Sequence, residues 1–203
     1  MSPTIEVDDA VYAALERQAH PFVDKSPNDV LKRLLQIGTA SPGNPASTIN
    51  PASIIYDAVR EAIEADPQME LLTETTKTYI HFAPKTWTAP ALMKGTRKSG
   101  RILSFMVMNR PPTVALSLEI QPGDQSVRGQ IWHELRDKPW FTGRGQQTLT
   151  YSRIFRKSLG TIDEFKARRT DARWLTEKIR NGFADFKSKQ FPAIDSAVRG
   201  ISF

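Results

Sequence analysis

The chain has 203 residues, of which 39% are hydrophobic and 25% charged, and it contains no cysteine. This composition is typical of a globular protein, and it excludes disulfide frameworks, thiolate metal sites and cysteine nucleophiles. No stretch approaches the roughly 18 uninterrupted apolar residues of a membrane span, and the first residues lack the basic and apolar parts of a signal peptide. We therefore expect a cytoplasmic protein without a membrane partner.

Positive charge is concentrated in one part of the chain. Residues 1–50 contain four Lys or Arg and six Asp or Glu, a net charge of −2, whereas residues 51–203 contain 24 and 16, a net charge of +8. Localised basic charge favours a polyanionic partner, while dispersed charge is common among proteins in general. The larger part is therefore predicted to bind DNA.

The N-terminal residues predict a short strand followed by a helix. The sequence TIEVD alternates polar and apolar residues, which places Ile5 and Val7 on a buried face. A helix of about three turns follows, with Val11 and Leu15 on its apolar side, and Pro21 disfavours its continuation.

A second helix is predicted to begin at Ser26 and Pro27 and to end at Gly38, with Val30 and Leu34 on its apolar side. A unit of fewer than about 40 residues seldom buries a sufficient core by itself. We therefore expect this unit to form a homodimer. The predicted dimerisation residues are Ile5, Val7, Val11, Leu15, Val30 and Leu34.

The N-terminal pattern has a family resemblance. TIEVDDAVY followed by SPNDVLKRLL, within residues 3–37, resembles the oligomerisation domain of the SeqA family of replication-initiation modulators. The resemblance implies a ribbon-helix-helix fold, in which the strands of two chains pair across a two-fold axis. Such strands either read DNA or only join chains. Because Glu6 and Asp8 would be repelled by phosphates, joining is favoured; a helical hairpin packed on its own chain remains an alternative.

Residues 39–50 are rich in Ser, Pro, Gly and Asn and predict a linker, so the domains are expected at 1–38 and 51–203. An apolar face predicts a helix from Pro51 to about residue 66. Residues 110–112 suggest a tight turn and hence antiparallel strands. Strands are predicted at 75–82, 101–109 and 113–121.

Three helical stretches are predicted after Gly123, at residues 127–135, 149–159 and 162–189. The order of helix, strands and helices indicates an α+β domain with a mainly antiparallel sheet. A strand VALSLEIQPGD, followed by a helix SVRGQIWHELRDK and a final helix ending in FPAIDSAV, lies within residues 100–198. This order resembles degenerate PD-(D/E)xK-like domains of restriction-related proteins.

The PD-(D/E)xK resemblance implies a possible nuclease, which needs two acids that bind Mg²⁺ and a lysine that orients water. Glu119 is the nearest candidate acid, but Gln121 stands at the lysine position and no Pro-Asp pair precedes it at a suitable spacing. An edge carboxylate, or a salt bridge from Glu119 to Arg101 or Arg110, is favoured. We therefore predict no catalytic residue, metal or other cofactor, and the Mg²⁺-dependent nuclease stays an alternative.

The loop at residues 91–101 alternates cations with small residues, a pattern that suits a segment lying along phosphates. A second basic cluster at residues 144–157 either extends this surface or is a solvated helix face. Trp87 and Phe82 either stack on exposed bases or belong to the core. The predicted DNA-binding residues are Lys94, Arg97, Lys98, Arg101, Arg144, Arg153, Arg156 and Lys157.

These patterns together predict a dimeric protein that binds double-stranded DNA. A regulator, or a component of a bacterial or mobile-element defence or replication-control system, would have this organisation. A protein-protein adaptor with an acidic partner is the alternative that involves no nucleic acid.

Overall fold

The structure is a computed structural model that describes residues 49–143, 147–148 and 150–203, together with Asp9 and Tyr12, which are helical. The fold below is that of the compact unit Ile49–Phe203. Most of the predicted linker lies outside the described residues, as does Arg144, which was predicted to bind DNA. So do the predicted dimerisation residues Ile5, Val7, Val11, Leu15, Val30 and Leu34, and the pairing module stays a prediction.

Helices and an antiparallel sheet make up this unit, which confirms the predicted α+β class. Its helices are α1 (Pro51–Glu64), α2 (Gln125–Leu135), α3 (Ile162–Ala167), α4 (Ala172–Lys189) and α5 (Phe191–Arg199), with a short 3₁₀ helix at Pro90–Met93. Its strands are β1 (Met69–Leu71), β2 (Tyr79–Pro84), β3 (Leu103–Arg110), β4 (Thr113–Ile120) and β5 (Ser152–Ser158). None of the helices in the described ranges is long and apolar enough to cross a membrane.

The strands lie in their chain order, β1-β2-β3-β4-β5, and each pairs antiparallel with the next. Arg110 pairs with Thr113 at the tip of the β3–β4 hairpin, as the turn at residues 110–112 predicts. The Asn109 side chain donates to the carbonyl oxygens of Ala52 at 2.7 Å and Lys77 at 2.9 Å, and thereby joins the hairpin to α1.

Helix α1 begins where its sequence predicts. The Asn50 side chain accepts a hydrogen bond from the Ala52 amide at 3.0 Å, and Pro51 occupies the first turn, where its missing N–H is not needed. Ile55 and Val59 on the inward face are fully buried. The N-cap and the buried apolar face therefore both place this helix where the sequence predicts it.

One face of the sheet packs on an aromatic core. The Phe82 and Phe105 rings stack with centroids 5.3 Å apart, and Phe105 meets Phe186 of α4 edge-on at 5.1 Å. Trp87 is buried in the same cluster, and its indole N–H donates to Asp195 of α5 at 2.9 Å. Phe82 and Trp87 are thus core residues and do not form an exposed stacking surface.

The helix predicted at residues 149–159 is wrong, because Ser152–Ser158 forms strand β5. Ile154 and Phe155 are buried while Arg153 and Arg156 are exposed, a spacing that also suits a helix. The segment forms a strand and not a helix because its backbone then pairs with β4. Without this pairing, the backbone N–H and C=O groups at the outer edge of β4 would lack partners.

Smaller corrections concern helix and strand boundaries. The helix predicted at 162–189 is divided into α3 and α4 because Asp171 caps a new helix, accepting from the Trp174 amide at 2.9 Å. Strand β2 begins at Tyr79, later than predicted, and the three-residue strand β1 was not predicted.

Candidate functional site

The sheet face opposite the aromatic core carries a row of mainly polar side chains that crosses four strands. His81 of β2 is opposite Met106 of β3, Met106 is opposite Ser117 of β4, and Ser117 is opposite Arg156 of β5. We call this surface, including Glu119 and Arg153 in the adjacent row, the polar face.

An irregularity in β5 adds a second arginine to the polar face. The pairing shifts between Leu118, which is opposite Phe155, and Glu119, which is opposite Arg153. One extra residue, Ile154, therefore lies in β5 at this point, as in a β-bulge. Arg153 and Arg156 consequently lie on one face although three positions separate them.

A cavity of about 480 Å³ opens on the polar face. The β2–β4 strands contribute side chains, as do the loop before β2, the 94–101 loop and the segment that leads into β5. Its lining residues are Glu74, Thr76, Tyr79, His81, Arg97, Met106, Glu119, Tyr151 and Arg153. A neighbouring cavity of about 670 Å³ shares Tyr151 and Arg153 with it and extends to Arg156 and Trp132.

Glu119 is buried in this site, with 6% of its surface exposed. It accepts hydrogen bonds from Arg153 Nε at 3.2 Å and Nη2 at 3.1 Å, and from Ser117 Oγ at 3.3 Å. The predicted salt bridge from Glu119 to Arg101 or Arg110 is therefore wrong, because Arg153 of the adjacent strand is its partner. A buried carboxylate held in this way has a fixed position.

His81 is more deeply buried, with 3% of its surface exposed, and no described residue makes a hydrogen bond with its Nδ1. Its backbone is fixed: the amide donates to Thr75 Oγ at 3.0 Å, and that hydroxyl donates back to the His81 carbonyl at 2.9 Å. Burial, with the nearby positive charge of Arg97, lowers the pKa of His81 below its usual value. Glu74 and Glu119 act in the opposite direction without cancelling this effect. The surroundings therefore favour the neutral form of the ring.

Two tyrosines at the rim of the cavity each pair with an arginine. The Arg97 guanidinium lies 5.2 Å from the centre of the Tyr151 ring, and it also donates to the Tyr151 hydroxyl. Arg110 has the same relation to Tyr79, at 5.0 Å. These cation–π contacts orient the aromatic rings.

The 94–101 loop is held by specific contacts. Glu74 accepts hydrogen bonds from the Ser99 amide at 3.2 Å and hydroxyl at 2.7 Å. Burial alone would raise the pKa of Glu74, but the hydrogen bonds from Ser99 leave it lower than usual. Gly95 is required here because a Cβ atom would lie 2.4 Å from the Arg101 carbonyl oxygen. The loop therefore presents Arg97 in a defined position.

The predicted DNA-binding residues in the 94–101 loop have different environments. Lys94 and Lys98 are exposed, and Arg97 lines the cavity. Arg101 is buried, with 6% of its surface exposed, where it forms a salt bridge with Glu70 and donates to the Trp87 carbonyl. Arg101 thus joins β1 to the core.

The second predicted cluster is divided between the two sheet faces. Arg153 and Arg156 are on the polar face, whereas Lys157 is directed to the helical side. Lys157 forms a salt bridge with Asp185 of α4 and donates to Gln190 at 3.1 Å. The polar face therefore holds the two arginines but not the lysine.

Sequence reasoning did not identify His81, Tyr79 or Tyr151 as site residues. Tyr79 and His81 alternate with Ile80 and Phe82, so the period-two pattern contained a signal for two opposite faces. Tyr151 carried no such signal, because it immediately precedes a strand that was predicted to be a helix.

Among the described residues, no three His, Asp or Glu side chains are grouped as metal ligands. No family model matches the chain, and neither a curated protein nor a solved structure matches it.

Proposed function

We propose that this protein binds DNA through the polar face and the 94–101 loop. The observation that carries the proposal is the assembly of cations from distant parts of the chain around the two neighbouring cavities of the polar face. Arg97 of the loop contacts Tyr151, which directly precedes β5, and β5 contributes Arg153 and Arg156. Arginine side chains gathered on one surface suit contacts with the phosphates of a DNA backbone.

Charge pairing identifies the cations that are available to DNA. Lys98 and Arg156 are exposed, and neither forms a salt bridge with another residue in the described ranges. Arg97 is bonded to a neutral tyrosine, whereas Glu119 offsets the charge of Arg153. Phosphate binding would therefore depend mainly on Arg97, Lys98 and Arg156, with Lys94 held 3.9 Å from Asp124 as a weaker contributor.

Pairing of two chains through residues 1–38 is part of the proposal. Two linked DNA-binding domains bind with higher affinity than one, because the second domain is already at a high local concentration. The SeqA-like sequence pattern of these residues favours a role in replication control or in a bacterial or mobile-element defence system.

The proposal is tested by fluorescence anisotropy of the full chain with a labelled random-sequence duplex at several salt concentrations. The Lys98→Ala/Arg156→Ala variant should bind more weakly. The slope of log K against log salt should fall by about 1.8 for each domain bound to the duplex, because the variant removes two phosphate contacts from a domain and each contributes about 0.9. The matched control is Arg173→Ala/Arg180→Ala, which removes the same charge from exposed positions of α4.

The control should keep the slope of the unchanged protein, since α4 packs on the opposite face of the sheet. Equal slopes in the two variants would show that the polar face is not part of the interface with DNA. Absence of binding at low salt would overturn the proposal and favour the protein-protein adaptor.

A further inference from the structure

The 480 Å³ cavity contains groups that phosphate contacts do not use. Its volume is in the range of pockets that enclose small organic groups, about 300–1,000 Å³. Its charged side chains are two arginines and two glutamates, Arg97, Arg153, Glu74 and Glu119. This balance of charge suits a neutral polar group better than a free phosphate.

His81 provides the first sign of a ligand. Its Nδ1 is buried and has no hydrogen-bond partner among the described residues, and the side chain lines the cavity. Buried polar atoms almost always have partners in folded proteins. A ligand in the cavity would supply the missing hydrogen bond.

Glu119 provides a second polar group. The hydrogen bonds that it accepts from Arg153 and Ser117 all end on Oε1, and none from the described residues ends on Oε2. A carboxylate oxygen is an acceptor for amino groups, such as those on the edges of adenine, cytosine and guanine.

Tyr151 and Tyr79 supply the aromatic surfaces. Tyr151 is 43% exposed at the cavity rim and has Arg97 over its ring. An aromatic ring has two faces, so the arginine on one leaves the other for a planar group. Stacking on an aromatic side chain stabilises an unpaired base.

We propose that this cavity receives one unpaired, amino-bearing base of the bound DNA. Glu119 accepts from the amino group of the base, His81 Nδ1 bonds a second polar atom, and Tyr151 stacks on the base plane. This inference rests on the proposed DNA binding, which places a strand beside the cavity. The protein would then recognise DNA in which a base is unpaired or easily extruded.

The test compares two labelled duplexes of equal length, one fully paired and one with a single bulged cytosine. The full chain should bind the bulged duplex about tenfold more tightly, because a stacked base adds binding energy that the paired duplex lacks. Cytidine monophosphate serves as a third probe, which offers the same base without a strand.

Four variants separate the cavity from the phosphate contacts. Tyr151→Ala and Glu119→Gln should lose the preference for the bulged duplex, which is measured as the ratio of the two affinities because both residues also contact arginines of the polar face. Tyr151→Phe keeps the ring and should keep the preference. Arg156→Ala should weaken the binding of both duplexes and leave their ratio unchanged.

The outcomes distinguish this inference from the proposed function. If neither duplex binds, both proposals are overturned. If both duplexes bind equally and Tyr151→Ala changes nothing, only the base-binding cavity is overturned. Saturable binding of cytidine monophosphate without preference for the bulged duplex would assign the cavity to a free nucleotide and overturn recognition of a strand.

Discussion

Arg128 is a fully buried cation that is bonded to backbone carbonyls. Its guanidinium donates to the carbonyl oxygens of Ile120 at 3.3 Å, Thr150 at 3.1 Å and Thr148 at 2.6 Å, and also to that of Gln121. Burial lowers the pKa of Arg128 below its usual value. The side chain thus joins the end of β4 to the segment that positions Tyr151.

We expect Arg128→Met to lower the free energy of unfolding by about 3 kcal/mol, because the buried carbonyls of Ile120 and Gln121 would lose this donor and each loss costs about 1–3 kcal/mol. Urea denaturation measures the change. The matched control is Arg136→Met at the exposed end of α2, where Asp137 is the one salt-bridge partner of Arg136 among the residues that the structure describes. The control should stay within about 0.5 kcal/mol of the unchanged protein. Equal losses in both variants would contradict the assigned role of Arg128.

His81 gives the stability a pH dependence. Its pKa is lowered in the folded protein, so around and below pH 6.5 the unfolded chain binds more protons at this histidine than the folded chain does. The free energy of unfolding should therefore fall as the pH decreases below about 6.5, by at most about 1.4 kcal/mol for each pH unit. Urea denaturation of the unchanged protein and His81→Asn between pH 5 and 8 measures this contribution. If the two proteins show the same pH dependence, His81 is not its source.

At the scale of secondary-structure elements, the sequence predicts the helices and strands whose ends are marked by capping residues or prolines. Helix α1 has a cap, an early proline and a regular apolar face, while β3 and β4 are apolar runs joined by a proline turn. Strand β5 lacks such signals. Its two exposed arginines share a face although they are three positions apart, because of the irregularity at Ile154. Exposed residues three positions apart are also typical of a helix. Pairing with β4, which joins residues far apart in sequence, determines its structure.

Two neighbouring residues of β5 should affect different properties: Arg156 the affinity for DNA, and Lys157 the stability of the fold. Arg156→Met should reduce the affinity for DNA and its salt dependence with little change in stability, since the side chain is exposed on the polar face. Lys157→Met should lower stability and leave the salt slope unchanged, because Lys157 bonds Asp185 and Gln190. Anisotropy titrations and urea denaturation of both variants test this. If Lys157→Met flattens the slope as much as Arg156→Met does, the two faces have been assigned wrongly.

At the scale of the whole molecule, the sequence predicts the α+β class but not the composition of the site. Glu74, His81, Glu119 and Tyr151 come from separate segments, and none is distinguished by a local motif. Only the sheet register brings His81 into the row of Arg156. The cations of the 94–101 loop could be found from composition, whereas burial of Arg101 depends on its distant partner Glu70.

Association of two chains should raise the affinity for DNA. We expect Leu34→Glu, which places a charge on the predicted dimer surface, to give a monomer in sedimentation analysis and to weaken binding by roughly 100-fold through lost effective concentration. Glu6→Gln, on the predicted exposed face of the strand, should leave the dimer intact. A Leu34→Glu protein that remains dimeric, or a monomer with undiminished affinity, would contradict the proposed pairing.

The extra residue in β5 has a consequence for how this sequence tolerates insertions and deletions. Two residues lie between Arg153 and Arg156, one more than separates same-face neighbours in a regular strand, and the bulge accommodates the additional one. Deletion of Ile154 would leave a regular strand in which the two arginines, now two positions apart, still share a face. The pair of arginines on the polar face should therefore survive both the exchange of Ile154 for another apolar residue and its loss.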